Sequence, residues 1–336
     1  MAIEDTGNPP ASASCSTDSE SEYSEIRRRI VVNKDEDCKK LGIDPPLFIC
    51  APMVRYSKLH FRRLVSLYGC ELAYTPMIYA HCFVASEKCR ANEFTTDEGD
   101  WPIVQFAANK PEDFARAAEL VYGDVKGIDL NCGCPKSDVR SEGFGSKMLE
   151  NPELISDIVK QTRNRISDPD FTISVKIRIR HPLSETVDMC RKFESAGVSH
   201  IAVHGRTVSQ RAESPDFEAI GHVKASVQVP VYANGGCTSY RQALEIASIT
   251  GADGIMVGEG LLSNPALFGG HQKTPVDCIK DWFSIATDMD VHYTLLHRHT
   301  AFMSNSLFTK SQRMELQKQN SVTDVINFVR EQLSGF

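Results

Sequence analysis

The sequence predicts an α/β fold: a (β/α)8 TIM barrel followed by a small C-terminal helical domain. Two observations carry this. Eight short apolar runs recur between residues 47 and 257 with helix-like segments between them, the alternation expected of a barrel. After Gly270 the strand signals stop and only helical patterns follow. A doubly wound sheet is the alternative, but it rarely takes eight strands at so regular a spacing. The expected partition is a disordered acidic tail (1–25), a barrel (26–270) and a helical domain (271–336).

The elements follow in order. Residues 1–25 hold six acids (Glu4, Asp5, Asp18, Glu20, Glu22, Glu25), no Lys or Arg, and few large apolar groups, so the segment cannot bury enough to fold. Strands are expected at 47–50, 71–75, 103–107, 127–131, 172–177, 200–204, 229–234 and 254–257. Helices are expected at 57–68, 111–122, 152–165, 184–196 and 239–250. Each helix opens on a good starting residue (Ser57, Pro111, Pro152, Ser184, Ser239): serine caps free N–H groups, and proline has no N–H to leave free. In the tail domain the patterns give helices at 276–288, 311–319 and 322–333.

Composition excludes several classes. No run approaches the eighteen or so apolar residues of a membrane span, and no basic start leads into an apolar run as in a secretory signal. Eleven scattered cysteines, an odd number, suggest reduced thiols and an intracellular home. A cytoplasmic monomer is expected, with a nuclear share left open. Cys132-Gly133-Cys134 is too tight for a zinc site and has no matching pair, and Cys82 and Cys89 lack partners at ligand spacing, so no metal is expected. The net charge is −7, but the six acids of the tail account for all but one unit. Anion binding would therefore depend on local basic patches.

The most informative segment is Gly127-Ile128-Asp129-Leu130-Asn131-Cys132-Gly133-Cys134-Pro135, closing in Gly143-Phe144-Gly145. A strand ends in Asn131 and runs into a cysteine held between glycine and proline, at the lip where barrels put reactive groups. A buried inert cysteine is the plain alternative for these residues alone. Other strand ends add polar groups: Gln105, Lys176, and His204 with Arg206. Each has a bland reading as a cap, a snorkelling lysine or a core histidine; together they outweigh it. The seventh and eighth ends, Asn234-Gly235-Gly236 and Gly258-Glu259-Gly260, let backbone N–H groups approach a phosphate. Such a site beside an amide, a lysine and a histidine suits FMN: Gln105 for the pyrimidine edge, and Lys176 as the cation at N1/O2 of the reduced ring.

In order, Ala-Pro-Met, Val-Gln-Phe, Asn-x-Gly-Cys-Pro, Gly-x-Gly, Val-Lys-Ile-Arg, His-Gly-Arg-Thr and Ala-Asn-Gly-Gly resemble the tRNA-dihydrouridine synthase family, most of all its eukaryotic branch acting on D-loop uridines 20a and 20b. The resemblance runs from about Leu47 to Phe268 and more loosely beyond. It implies a flavin-bearing barrel, a helical tRNA-binding domain and NAD(P)H as electron source. It implies that Pro52, Met53 and Val54 line the flavin, that Gln105, Lys176 and His204 contact it, and that Asn234, Gly235, Gly236, Gly258 and the backbone at Glu259 hold its phosphate. Cys134 would be the proton donor. The chain departs from the family pattern at Glu259, where arginine is usual, and at Gly236, where an acid is common.

The implied chemistry is hydride transfer from FMN to C6 of a flipped-out uridine and protonation of C5 by Cys134. An ordinary thiol, with pKa about 8.5, is mostly protonated at neutral pH and suits an acid. Candidate RNA contacts are Asn131, Arg178, Arg180 and Arg206 near the mouth, and Arg298, Lys310 and Arg313 in the tail, where only Glu315 opposes them between 291 and 320. Arg27-Arg28-Arg29 either adds to this patch or caps the tail. Two other functions stay open: a flavin barrel acting on free pyrimidines, and a tRNA-binding homologue that has lost catalysis.

Overall fold

The computed structural model describes residues 29–336; the expected acidic tail and Arg27-Arg28 lie outside the described residues. Nine strands form one parallel sheet: β1 (Leu47–Cys50), β2 (Leu72–Ala73), β3 (Ile78–Tyr79), β4 (Ile103–Ala107), β5 (Gly127–Cys132), β6 (Thr172–Arg178), β7 (His200–His204), β8 (Val231–Asn234) and β9 (Gly254–Val257). Their order, β2-β1-β9-β8-β7-β6-β5-β4-β3, closes into a barrel because Tyr74, just past β2, bridges Ile103 of β4. The stave expected at 71–75 is therefore split in two. Pro76 has no N–H for the ladder, so pairing stops and resumes at Ile78 against Phe106.

The first helices are α1 (Lys34–Leu41), α2 (Leu59–Ser66), α3 (Ala80–Ala85), α4 (Glu87–Glu93), α5 (Pro111–Val121), α6 (Ser137–Ser141), α7 (Pro152–Arg165) and α8 (Leu183–Ala196). They are followed by α9 (Phe217–Lys224), α10 (Tyr240–Thr250) and α11 (Glu259–Ser263). Proline opens α5 and α7 as expected, and the Ser239 side chain accepts from the N–H of Gln242 to cap α10. Two expected caps are corrected. Ser57 is fully buried and takes the Met53 N–H at 2.9 Å, closing a turn, so α2 starts only behind Lys58. Helix α8 starts one residue early, behind Pro182, and Ser184 caps nothing.

Side chains alternate along each strand. One set packs outward against the helices in a large core that includes Val104, Phe106, Val175 and Ile177. The other fills the barrel with Ile49, Tyr74, Ile103, Ala202, Tyr232 and Met256. Tyr74 and His200 share a buried hydrogen bond of 2.7 Å inside it.

The last four helices are α12 (Val276–Asp288), α13 (Tyr293–Ser304), α14 (Lys310–Leu316) and α15 (Val322–Gln332). Helix α13 falls within the stretch expected to be helical, but its bounds were not anticipated. These helices share the barrel's outer core: Cys278, Ile279 and the fully buried Trp282 belong to it. Asp281 of α12 accepts from Tyr68 at 2.7 Å and pairs with Arg29 at 2.8 Å. Among the described residues no helix is long and apolar enough to cross a membrane.

Candidate active site

A cavity of about 880 Å3 opens at the C-terminal ends of the strands, within the range that holds a nucleotide-sized ligand. Parallel register stacks its polar residues in layers. Gln105 stands beside Asp129 and Asp129 beside Ser174; one layer higher, Asn131 stands beside Lys176. At the rim Arg178 is level with His204, and His204 with Asn234. All of these face inward because they lie two residues apart on their strands.

The floor is a connected polar chain. Ser174 Oγ donates to Asp129 Oδ1 at 2.7 Å, and Gln105 Nε2 donates to Asp129 Oδ2 at 2.8 Å. Asn131 Nδ2 donates to Gln105 Oε1 at 2.7 Å. The Asn131 Oδ1 then accepts the backbone N–H groups of Gly133 (3.3 Å) and Cys134 (3.0 Å). Asn131 thus shapes the turn that lifts Cys134 into the cavity. Glycine is required behind it: a Cβ at Gly145 (φ +60°) would stand 2.8 Å from the Cys134 carbonyl oxygen.

Burial sets the charges. It lowers Lys176 to about 8, helped by Arg178 and opposed by Asp129. It raises Asp129 to about 6, against its hydrogen bonds from Gln105 and Ser174 and the pull of Lys176. It lowers His204 to about 2, aided by Lys176, Arg178 and Arg206, so this imidazole is neutral. Its Nδ1 accepts the Arg206 N–H at 3.1 Å. Lys176 Nζ donates to Asn234 Oδ1 at 2.7 Å, and Asn234 Nδ2 to the Met256 carbonyl at 2.8 Å.

The expected phosphate end is partly a steric necessity. Gly235 (φ +120°) and Gly236 (φ +69°) occupy backbone conformations closed to most residues, and a Cβ at Gly236 would lie 2.9 Å from Pro215. Gly258 is different: a Cβ there would make only ordinary contacts near 3.6 Å. Glu259 lines the cavity but is exposed at the start of α11, so its carboxylate has room to turn to water. Left-handed glycines at one end, an amide–carboxylate floor and a half-buried lysine form a donor set that fits FMN.

Pro52, Met53, Val54, Gln105, Asn131, Cys134, Lys176, Arg178, His204, Arg206, Asn234, Gly235, Gly236, Gly258 and Glu259 all line this one cavity. Arg180 does not: it donates to the Leu149 carbonyl and pairs with Glu185. Arg178 is a strut as well as a cation, bridging the carbonyls of Gly133 (3.0 Å) and Thr207 (2.9 Å). Arg298 reaches the rim through the Tyr56 hydroxyl at 3.4 Å. Arg313 caps the Asn305 and Phe308 carbonyls, and Lys310 is exposed at the start of α14. The sequence reading missed Asp129, Tyr56, Met77 and Arg211. Of these Asp129 left a signal, an acid inside an otherwise apolar strand two residues before Asn131.

The profile described as dihydrouridine synthase (Dus) matches residues 49–334, spanning the barrel and the helical tail. The chain belongs to the dihydrouridine synthase family. It is 51% identical over 282 residues to an uncharacterized tRNA-dihydrouridine synthase-like protein of Caenorhabditis elegans, covering 84% of this chain and 99% of that one. It is 45% identical over 284 residues to a human tRNA-dihydrouridine(20a/20b) synthase [NAD(P)+]-like protein (84% and 90%). It is 39% identical over 288 residues to the tRNA-dihydrouridine(20a/20b) synthase [NAD(P)+] of Schizosaccharomyces pombe (85% and 87%). Within the dihydrouridine synthase fold, the Asn131–Cys134 turn and the Gly235-Gly236 turn therefore flank one chamber.

Proposed function

We propose that this protein reduces uridine to 5,6-dihydrouridine in the tRNA D-loop, at positions 20a and 20b, with FMN as its resident cofactor and NAD(P)H as electron donor. The observation that carries this reading is the convergence of Cys134, Gln105, Lys176 and Asn234 on one cavity in a chain of the dihydrouridine synthase family. When bound, FMN supplies the hydride to uracil C6. Gln105 and Lys176 bind the polar edge of the flavin ring, and the cation of Lys176 favours negative charge there. Gly235 and Gly236 offer their backbone to the phosphate. The uridine enters flipped out of its stack. Cys134 gives its thiol proton to C5 and is reprotonated from solvent, so the base gains one hydride and one proton.

Arg178, Arg206 and Arg211 line the mouth, held by backbone carbonyls rather than by carboxylates. That leaves their charge for RNA phosphates. Residues 271–336 carry Arg298, which contacts Tyr56 at the rim, and the exposed Lys310, and we assign them to tRNA binding. Ten cysteines among the described residues are unpaired, which suits a reducing compartment; we read the enzyme as a cytoplasmic monomer.

The test is direct. Purified protein is incubated with NADPH and tRNA from cells lacking dihydrouridine at 20a and 20b, and the nucleosides are mapped by mass spectrometry. A gain of 2 Da at those positions is expected. A flavin-loaded protein that leaves the tRNA unchanged would reject the reading.

A further inference from the structure

We infer that Asp129, which no step above uses, is a positioning residue: its carboxylate sets the direction of the amide chain Gln105–Asn131 and so holds the turn that presents Cys134. This rests on the reading of Cys134 as the acid of the site.

Geometry carries the argument. Asp129 is fully buried beneath the cavity, behind Gln105, and touches no solvent. As a carboxylate it only accepts hydrogen bonds. Gln105 must therefore turn its NH2 toward Asp129, at 2.8 Å, and its oxygen toward Asn131. Asn131 must then turn its own NH2 toward Gln105, at 2.7 Å, leaving its oxygen for the N–H groups of Gly133 and Cys134. The direction is the same read from either end, because two backbone donors at the far end also require the Asn131 oxygen there. With both amides reversed, the Asn131 NH2 would face those two N–H groups, donor against donor, and the turn would be pushed open. A buried carboxylate is costly to hold in a fold, and burial displaces Asp129 upward to about 6. A merely structural position would gain from a neutral residue here.

Asparagine at 129 keeps an acceptor oxygen for Gln105 while its NH2 donates to Ser174 Oγ. Leucine keeps the bulk and removes the acceptor. Ser174→Ala removes the other bond to Asp129 and leaves Gln105 held. The flavin-free proteins are treated with iodoacetamide, and alkylation is mapped by peptide mass spectrometry. Exposed Cys82 serves as the reference and buried Cys50 as the check on folding. FMN affinity is measured in parallel by fluorescence.

For D129L we expect Cys134 alkylation to change by at least about fivefold and FMN to bind on the order of tenfold more weakly, the scale of one lost buried hydrogen bond. Cys82 and Cys50 should behave as in the wild type. D129N and S174A should stay within about twofold of the wild type, a change below about 0.5 kcal/mol. Should D129L not fold, Q105M cuts the same chain one link further on and should alter Cys134 in the same way. The inference is overturned if D129L or Q105M matches the wild type, or if D129N or S174A is as impaired as D129L. Because alkylation is read without flavin, it judges the chain even if the wild type makes no dihydrouridine; that failure would instead sink the functional reading.

Discussion

At the scale of single residues, the site works by holding charged groups where water would not leave them. Lys176 is the clearest case. Burial lowers it to about 8, so it is a cation below that pH and neutral above it. Any step that needs its charge should decline as pH rises through about 8. Lys176→Arg keeps a charge at every accessible pH, so FMN affinity, which does not depend on the thiol, should weaken between pH 7 and 9 in the wild type and not in the variant; a wild-type affinity flat over that range would contradict the assignment. Asp129 has the opposite sign. Folding raises its carboxyl from 3.8 to about 6, so its favourable contribution is present below about pH 4 and lost as pH rises through about 6. At neutral pH the fold bears the cost of a dry carboxylate, two pKa steps or roughly 3 kcal/mol at most. D129N should therefore melt at a higher temperature than the wild type at pH 7.5, with the gain shrinking at pH 4; a lower melting temperature at pH 7.5 would show that the hydrogen bonds outweigh the charge.

At the scale of elements, strand ends decide which side chains meet. In the proposed reading, phosphate binding at the β8 and β9 ends would rely on Gly235 and Gly236, because Glu259 at the start of α11 supplies the wrong charge. Glu259→Arg should tighten FMN binding several-fold at low salt, with the gain shrinking as salt screens it; unchanged affinity would place the phosphate elsewhere. These elements also show what the sequence reveals. The strands were legible because each is a short apolar run bounded by Gly, Pro, Asn or Asp, and the strand-end residues could be read as a site once eight strands were counted. Helices α3 and α4 were not, being short turns without an apolar stripe. Helix α13 hid because its buried positions hold His297, His299 and Thr300, polar residues that break the pattern. Ser57 looked like a cap because a serine before a helix usually is one; its inward bond to Met53 depends on a turn that only the fold defines. Arg180 follows Arg178 by only two residues, yet it lies past the end of β6, where alternation no longer dictates direction.

At the scale of the whole molecule, barrel and tail meet at the mouth of the cavity. Helix α12 is anchored through Trp282 and Asp281, which fixes α13 and places Arg298 beside Tyr56 at the rim. Substrate binding should therefore depend on both parts together. Arg298→Ala should weaken tRNA binding while leaving flavin content unchanged, and it should reduce the slope of log affinity against log salt by about one unit, as expected for one lost phosphate contact. An unchanged slope would remove Arg298 from the interface.

The central claim is that the residue lifted by the Asn131 turn delivers the proton that completes saturation of the base. The measurement is a single anaerobic turnover: flavin-loaded enzyme is reduced, mixed with unmodified tRNA, and assayed for flavin reoxidation and dihydrouridine. The wild type should form about one dihydrouridine per flavin, and Cys134→Ala, with flavin fully bound, should be slower by at least about a hundredfold, the scale of a lost general acid. Equal rates in the two proteins would contradict the account.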